Sequence, residues 1–112
     1  MKLVHTKKLP LLSVSHNKEI KKKVFIEKGE IPKLMMFGEA TFKPGQKVDL
    51  HKHDTMYEVF NVIKGKAEFI VNNKKVIVKK GDVITIEAGE LHSQSNPFKK
   101  EVTWIYFGIA TD

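Results

Sequence analysis

The stretch GQKVDLHKHDTMYEVFNVIKG, Gly45 to Gly65, holds two histidines separated by one residue and a glutamate five positions after the second. Residues i and i+2 of an extended chain share a face, so His51 and His53 present their rings on one side, as two ligands of a single metal ion require. Glu58 would fall on the opposite face of an unbroken strand. The intervening Asp54-Thr55-Met56-Tyr57 therefore predicts a bend or bulge that restores the parity. From Glu58 the same face continues as Phe60 and Val62, an apolar floor beneath polar ligands.

Outward from this stretch, the chain shows no helical period of useful length. Short runs rich in Val, Ile and Phe recur between Gly, Asn, Asp and Lys punctuation, which predicts an all-β protein. The expected strands are Lys23 to Ile26, Leu34 to Phe42, Lys47 to His51, Glu58 to Ile63, Ala67 to Val71, Lys75 to Val78, Val83 to Glu87, Leu91 to Ser95 and Val102 to Ile109. Turn signals lie between them, among them Asn72-Asn73, since Asn tolerates the positive φ of a tight hairpin. Strands of this length and spacing imply a sandwich or barrel whose closure removes exposed edges. The first thirty residues carry one expected strand and little apolar content. They read as an N-terminal arm, residues 1–30, placed at a dimer interface, ahead of a domain over residues 31–112.

A chain of 112 residues suits one compact domain. With no cysteine, disulfides, zinc ribbons and thiolate nucleophiles are excluded, and any metal must rest on His, Asp or Glu. The start, MKLVHTKKLPLL, has an apolar stretch that is short and broken by Pro10, unlike a secretory core or a spanning helix. The expectation is a cytoplasmic protein with no membrane partner. The net charge is +7, and all 20 basic residues are lysine. Nucleic-acid readers lean on arginine, so a lysine-biased solvated surface is favoured over nucleic-acid binding. A positive field can still steer a small anion to a pocket.

A fourth ligand candidate lies downstream in GDVITIEAGELHSQSN, Gly81 to Asn96. His92 follows a Gly-Glu turn at the start of a strand, a position from which a side chain aims into a barrel. Three imidazoles and a carboxylate suit one divalent transition metal among Mn, Fe, Co, Ni, Cu and Zn. His5 and His16 lie outside both stretches and are expected in solvent.

These residues carry a resemblance. Gly45, His51, His53, Glu58 and Gly65 fit the spacing of the first conserved motif of the cupin superfamily, and Gly81, Gly89, His92 and Asn96 fit the second, with Glu87 where that motif has proline. The chain thus resembles a small single-domain metal-binding cupin from about Leu34 to Ile109. The resemblance implies a double-stranded β-helix of jelly-roll type, commonly a homodimer, with a metal on His51, His53, Glu58 and His92. Glu58 is the ligand most able to leave the metal and act as a base.

The pocket walls follow from strand parity. Val102, Trp104 and Tyr106 share a face of the last strand, which sets Trp104 and Tyr106 over the metal beside Phe60. Gln94, two residues after His92, faces the same interior. Met35 with Phe37, or alternatively Met36 with Phe42, adds apolar lining, and the sequence leaves that choice open. Phe60, Gln94, Trp104 and Tyr106 are therefore the expected substrate-binding residues. No arginine is available as an anion clamp, and the lysines near the motifs sit at turns. The function expected is a metal-dependent enzyme of dioxygenase type acting on a small organic molecule. Isomerisation or lyase chemistry on a sugar acid, and non-catalytic binding of a small ligand around a structural metal, are the alternatives.

Overall fold

The protein, described over residues 1–112 by a computed structural model, is built almost wholly from strands. After one turn of 3-10 helix at Thr6–Lys8 come β1 (Leu12–Val14), β2 (Asn17–Ile26), β3 (Leu34–Phe42), β4 (Lys47–His51) and β5 (Met56–Lys64). They are followed by β6 (Lys66–Val71), β7 (Lys74–Lys79), β8 (Val83–Ile86), β9 (His92–Ser95) and β10 (Val102–Ala110). A six-stranded sheet has the order β1-β2-β3-β10-β5-β8, and a four-stranded sheet the order β4-β9-β6-β7. From β3 onward the chain crosses between sheets at β4, β5, β6, β8, β9 and β10, the winding of a jelly roll. No helix is long and apolar enough to cross a membrane.

The period-two pattern explains which faces meet. Along β5, Met56, Glu58, Phe60 and Val62 are buried, and along β10 Val102 and Trp104 are buried with Tyr106 partly so. On β3 the inward face carries Met36, Ala40 and Phe42, which resolves the choice left open by the sequence. The centre of the sandwich is aromatic. Trp104 lies 4.4 Å from Phe42 and 5.7 Å from Phe69 between ring centroids, and Phe60 lies 5.1 Å from Phe69. Because Phe69 sits on β6 of the smaller sheet, these contacts join the two layers. Each such pair adds about 0.5–1.5 kcal/mol beyond burial.

Two turns show the backbone chemistry at work. Asn72 and Asn73 both have positive φ, 49° and 67°, and close the β6–β7 hairpin. Gly65, at φ 75°, lets the β5–β6 turn press on the segment before β10, where an added Cβ would lie 2.3 Å from the Glu101 carbonyl oxygen.

The expected single strand in the first thirty residues is corrected by the structure. The hairpin β1–β2 extends the six-stranded sheet through pairing of β2 with β3 over Lys21 to Ile26. Only Ile20 of this hairpin is fully buried, while Lys18, Glu19 and Lys21 face solvent. The strand is held by its backbone ladder and has little of the apolar alternation by which a strand is recognised in sequence.

The layer-joining role of Phe69 has a measurable consequence. Phe69→Ala is expected to lower unfolding stability by about 3–5 kcal/mol, whereas Ile77→Ala, on the exposed side of β7, should cost about 0.5 kcal/mol or less. Urea denaturation of both variants checks this, and equal effects would contradict the assignment of the core.

Candidate metal centre

The four ligand candidates arrive from different layers. His51 ends β4 and is paired in register with His92 at the start of β9, so both rings rise from the four-stranded sheet. Glu58 stands on β5 of the six-stranded sheet, and His53 lies in the connection that carries the chain between them. The expected parity reset is a turn at Asp54-Thr55. One ligand atom from each of His51, His53, Glu58 and His92 lies within 4.8 Å of the other three. Ligands at bonds of about 2.1 Å sit roughly 3 Å apart when adjacent and 4.2 Å when opposite, so a small contraction seats a transition metal.

Hydrogen bonding sets the tautomers. His51 Nδ1–H donates to the Asp49 carbonyl at 2.7 Å, and His92 Nδ1–H donates to the Glu90 carbonyl at 2.9 Å. Each neutral ring then offers its Nε2 lone pair to the centre, as in metal sites whose ligands are oriented by outer hydrogen bonds. Glu58 Oε1 lies 3.1 Å from His53 Nε2 and 3.2 Å from His92 Nε2. With its Nδ1 proton committed, neutral His92 opposes a lone pair to a carboxylate oxygen, and only a proton or a metal cation between them relieves the repulsion. The electrostatics agree. Burial lowers the His92 pKa, but the Glu58 hydrogen bond, the Glu90 carbonyl and the Glu58 charge together hold it above the usual histidine value. Burial dominates at His51 and pushes its pKa down, which favours the neutral ring that binds metals.

The turn ahead of His92 departs from the motif and is held by other means. Glu87 N–H donates to the Glu90 carboxylate at 2.8 Å, a bond that proline at this position could not make. The other oxygen of Glu90 accepts from Asn72 Nδ2 at 2.8 Å, and Gly89 N–H donates to the His53 carbonyl at 2.8 Å. The turn therefore ties His53, His92 and the β6–β7 hairpin together.

The metal cluster opens onto a cavity of about 180 Å³. The expected pocket residues Phe60, Gln94, Trp104 and Tyr106 all line it, together with Met36 and Phe42. Phe60 and Tyr106 are stacked at 6.3 Å, and burial, reinforced by the Glu58 charge, pushes the Tyr106 phenol up to about 12. Gln94 is buried and its Oε1 has no hydrogen-bond partner.

Of the lining residues that escape sequence reasoning, two carry a chemically active side chain. Lys22, on β2 and outside both motifs, is the one lysine in the lining. His16, in the β1–β2 turn, is exposed as expected, yet its ring stacks on His51 at 4.8 Å. Both depend on the β1–β2 hairpin, which no apolar pattern announces. Only the polar run His16-Asn17 between Val14 and Ile20 hints at a turn.

A family model described as a cupin domain matches residues 38–108. The oxalate-binding protein of Thermotoga maritima is 38% identical over 64 residues, 57% of this chain and 53% of that protein. The chain spans about half the length of the curated relatives it matches. Among solved structures, a predicted oxalate decarboxylase from Thermotoga maritima superposes with a TM-score of 0.89 at 24% identity, covering 97% of this chain and 99% of the other. The polyketide cyclase RemF from Streptomyces resistomycificus superposes at 0.82 with 19% identity, covering 100% and 80%. At these identities the structural likenesses speak for the fold alone.

Two outcomes are expected. His51→Ala and His92→Ala, purified without a histidine tag, should lose bound transition metal by elemental analysis, and unchanged occupancy would exclude the cluster as a metal seat. Tyr106 stays protonated to a higher pH in the folded chain than in the unfolded one, so its contribution is present below the ordinary tyrosine value of 10.0 and is lost as pH rises toward about 12. Tyr106→Phe should therefore flatten the fall in stability over that alkaline window, measured by thermal melts at stepped pH.

Proposed function

The chain belongs to the cupin domain family, and from that premise we propose that it is a metal-dependent oxidoreductase of dioxygenase type acting on a small organic acid. The observation that supports this reading is the union, in one pocket, of four clustered ligand atoms, an aromatic wall and a single lysine. His51, His53, Glu58 and His92 would hold the divalent transition metal. When bound, it supplies Lewis acidity and, for a redox-active ion, electron exchange with O₂.

The remaining work falls to the chain. A volume of about 180 Å³ is below the roughly 300–1,000 Å³ of pockets for drug-sized ligands and selects a compact substrate. Lys22 supplies the positive charge that draws a carboxylate into the cavity. The unpartnered Gln94 oxygen accepts a hydrogen bond from a substrate hydroxyl or amine. Phe60 and Trp104 exclude water and press on the apolar part of the substrate, and the neutral Tyr106 phenol donates to a substrate oxygen. Glu58 is the candidate base, since a carboxylate can exchange metal coordination for proton transfer.

A second reading is favoured by the oxalate-binding relative: the same pocket holds a small dicarboxylate on the metal without converting it. We also place the protein in the cytoplasm as a homodimer. The second copy would cover the outward face of the six-stranded sheet, where Phe37 lies 5.3 Å from Phe25 and 6.5 Å from Phe107.

Metal-loaded protein offered oxalate and small hydroxy and oxo acids should consume O₂ as the acid disappears. His92→Ala should abolish turnover, and Lys22→Gln should raise KM by about tenfold, the loss of one partly screened ion pair. Turnover that persists without O₂ or peroxide would sink the oxygenase assignment and move the reaction to Lewis-acid isomerase or lyase chemistry with Glu58 as base. Stoichiometric binding without turnover would support the second reading. Light scattering that gives a monomer mass would remove the homodimer.

A further inference from the structure

A second cleft, larger than the pocket beside Glu58, lies away from the candidate metal cluster. It is a cleft of about 800 Å³ formed where the β5–β6 turn, the end of β7 and the 97–100 loop meet. Glu58 lies near the start of β5 and Gly65 just past its end, so the two sites are separated by about 20 Å of strand. Lys66, Lys79, Lys80, Lys99 and Lys100 line the cleft around Phe98.

Several features set this cleft apart from a merely solvated lysine surface. Lys66 and Lys79 are direct cross-strand partners, an arrangement in which like charges repel. None of the five ammonium groups is within 4.0 Å of a carboxylate, while Lys52 and Lys75 elsewhere are paired. The nearby Asp82 carboxylate accepts from the Lys79 backbone N–H at 2.9 Å. Lys66 Nζ is held over the Phe98 ring at 4.3 Å, a cation–π contact that fixes its direction.

The loop is also built in advance. Asn96 is fully buried, its amide donates to the carbonyls of Phe42 at 2.9 Å and Lys100 at 2.8 Å, and its oxygen accepts from Phe98 N–H at 3.0 Å. Lys80 N–H donates to the Gly65 carbonyl at 3.0 Å, which pins the opposite wall. Five lysines thus line one cleft on rigid backbone, and none of their ammonium groups is paired with a carboxylate. Repulsion of this kind is relieved by a compact multivalent anion.

We propose that this cleft is an oligophosphate-binding site, taking a di- or triphosphate group either free or as part of a nucleotide. A triphosphate carries about four negative charges at neutral pH, close to the charge the lysines present, and its oxygens accept from several ammonium groups at once. A monophosphate satisfies fewer of them. Phe98 offers an apolar surface beside the phosphates, so a nucleotide base would add to binding where the free chain would not.

The test is calorimetric titration of the full-length, metal-loaded protein with orthophosphate, tripolyphosphate and ATP, with backbone amide shifts followed in parallel. Tripolyphosphate should bind at least about tenfold more tightly than orthophosphate, with shifts at Gly65, Phe98 and Lys100. The double variant Lys66→Gln/Lys99→Gln should lose that affinity, keep metal occupancy, and melt at a higher temperature than the parent when no phosphate is present. Equal affinity for tripolyphosphate and ATP assigns the site to the phosphate chain. Tighter ATP binding that Phe98→Ala removes assigns it to a nucleotide. Absence of tripolyphosphate binding, shifts confined to the His51–His92 region, or affinity unchanged in the double variant would overturn the proposal.

Discussion

The structure turns on one carboxylate. Glu58 leaves the six-stranded sheet and places an oxygen between His53 and His92, about 3 Å from each, so it spans the gap that separates the two layers. A buried carboxylate facing imidazole lone pairs is costly unless positive charge is supplied. That demand explains the outer hydrogen bonds on His51 and His92, which commit the far ring nitrogens and leave the near ones to the centre. Polar ligands cannot interdigitate as Phe42, Phe60, Phe69 and Trp104 do a few residues deeper, and the space they leave becomes the pocket.

Much of this was legible in the sequence because it depends on local periodicity. His51 and His53 share a side by the pleat alone, Phe60 follows Glu58 by the same rule, and Gln94 follows His92. The bounds of β3 and β4 coincide with those the apolar alternation predicts. The missing parts depend on pairing between distant segments. Val14 and Lys22 reach the cavity because β1 folds back on β2 with a register shift between Ser13 and Val14, and a polar strand carries no period that would reveal this. Likewise, the stacking of His16 on His51 joins residues thirty-five positions apart through a turn that only the fold creates.

The motif residues divide their labour along the length of the barrel. His92 serves the metal end, while Asn96, four residues later, serves the opposite one. Its backbone exchanges hydrogen bonds with Gly45 and Gln46 at 2.7 and 2.9 Å, and its side chain fixes the 97–100 loop. The glycines act similarly, since Gly65 permits the close approach that seals the wall beside that loop. The same motif thus builds the candidate metal cluster and stiffens the remote lysine cleft, so order at the two ends shares a cause without either acting on the other.

The cavity also draws on two parts of the chain. Every candidate ligand falls within residues 38–108, the part of the chain that matches the cupin domain, and so do Phe60, Gln94, Trp104 and Tyr106. His16 and Lys22 precede that region, on a hairpin whose hold on the domain is largely the β2–β3 backbone ladder. A backbone ladder constrains side-chain identity weakly, so the hairpin can change its outward chemistry without disturbing the core or the ligands. On the proposed function, the candidate metal cluster would set the classes of reaction available, whereas the charge at Lys22 and the ring at His16 would act on which small molecules reach it. On that same function, substrate choice would therefore rest on the strand pair at the edge of the sheet, which precedes the residues that match the cupin domain.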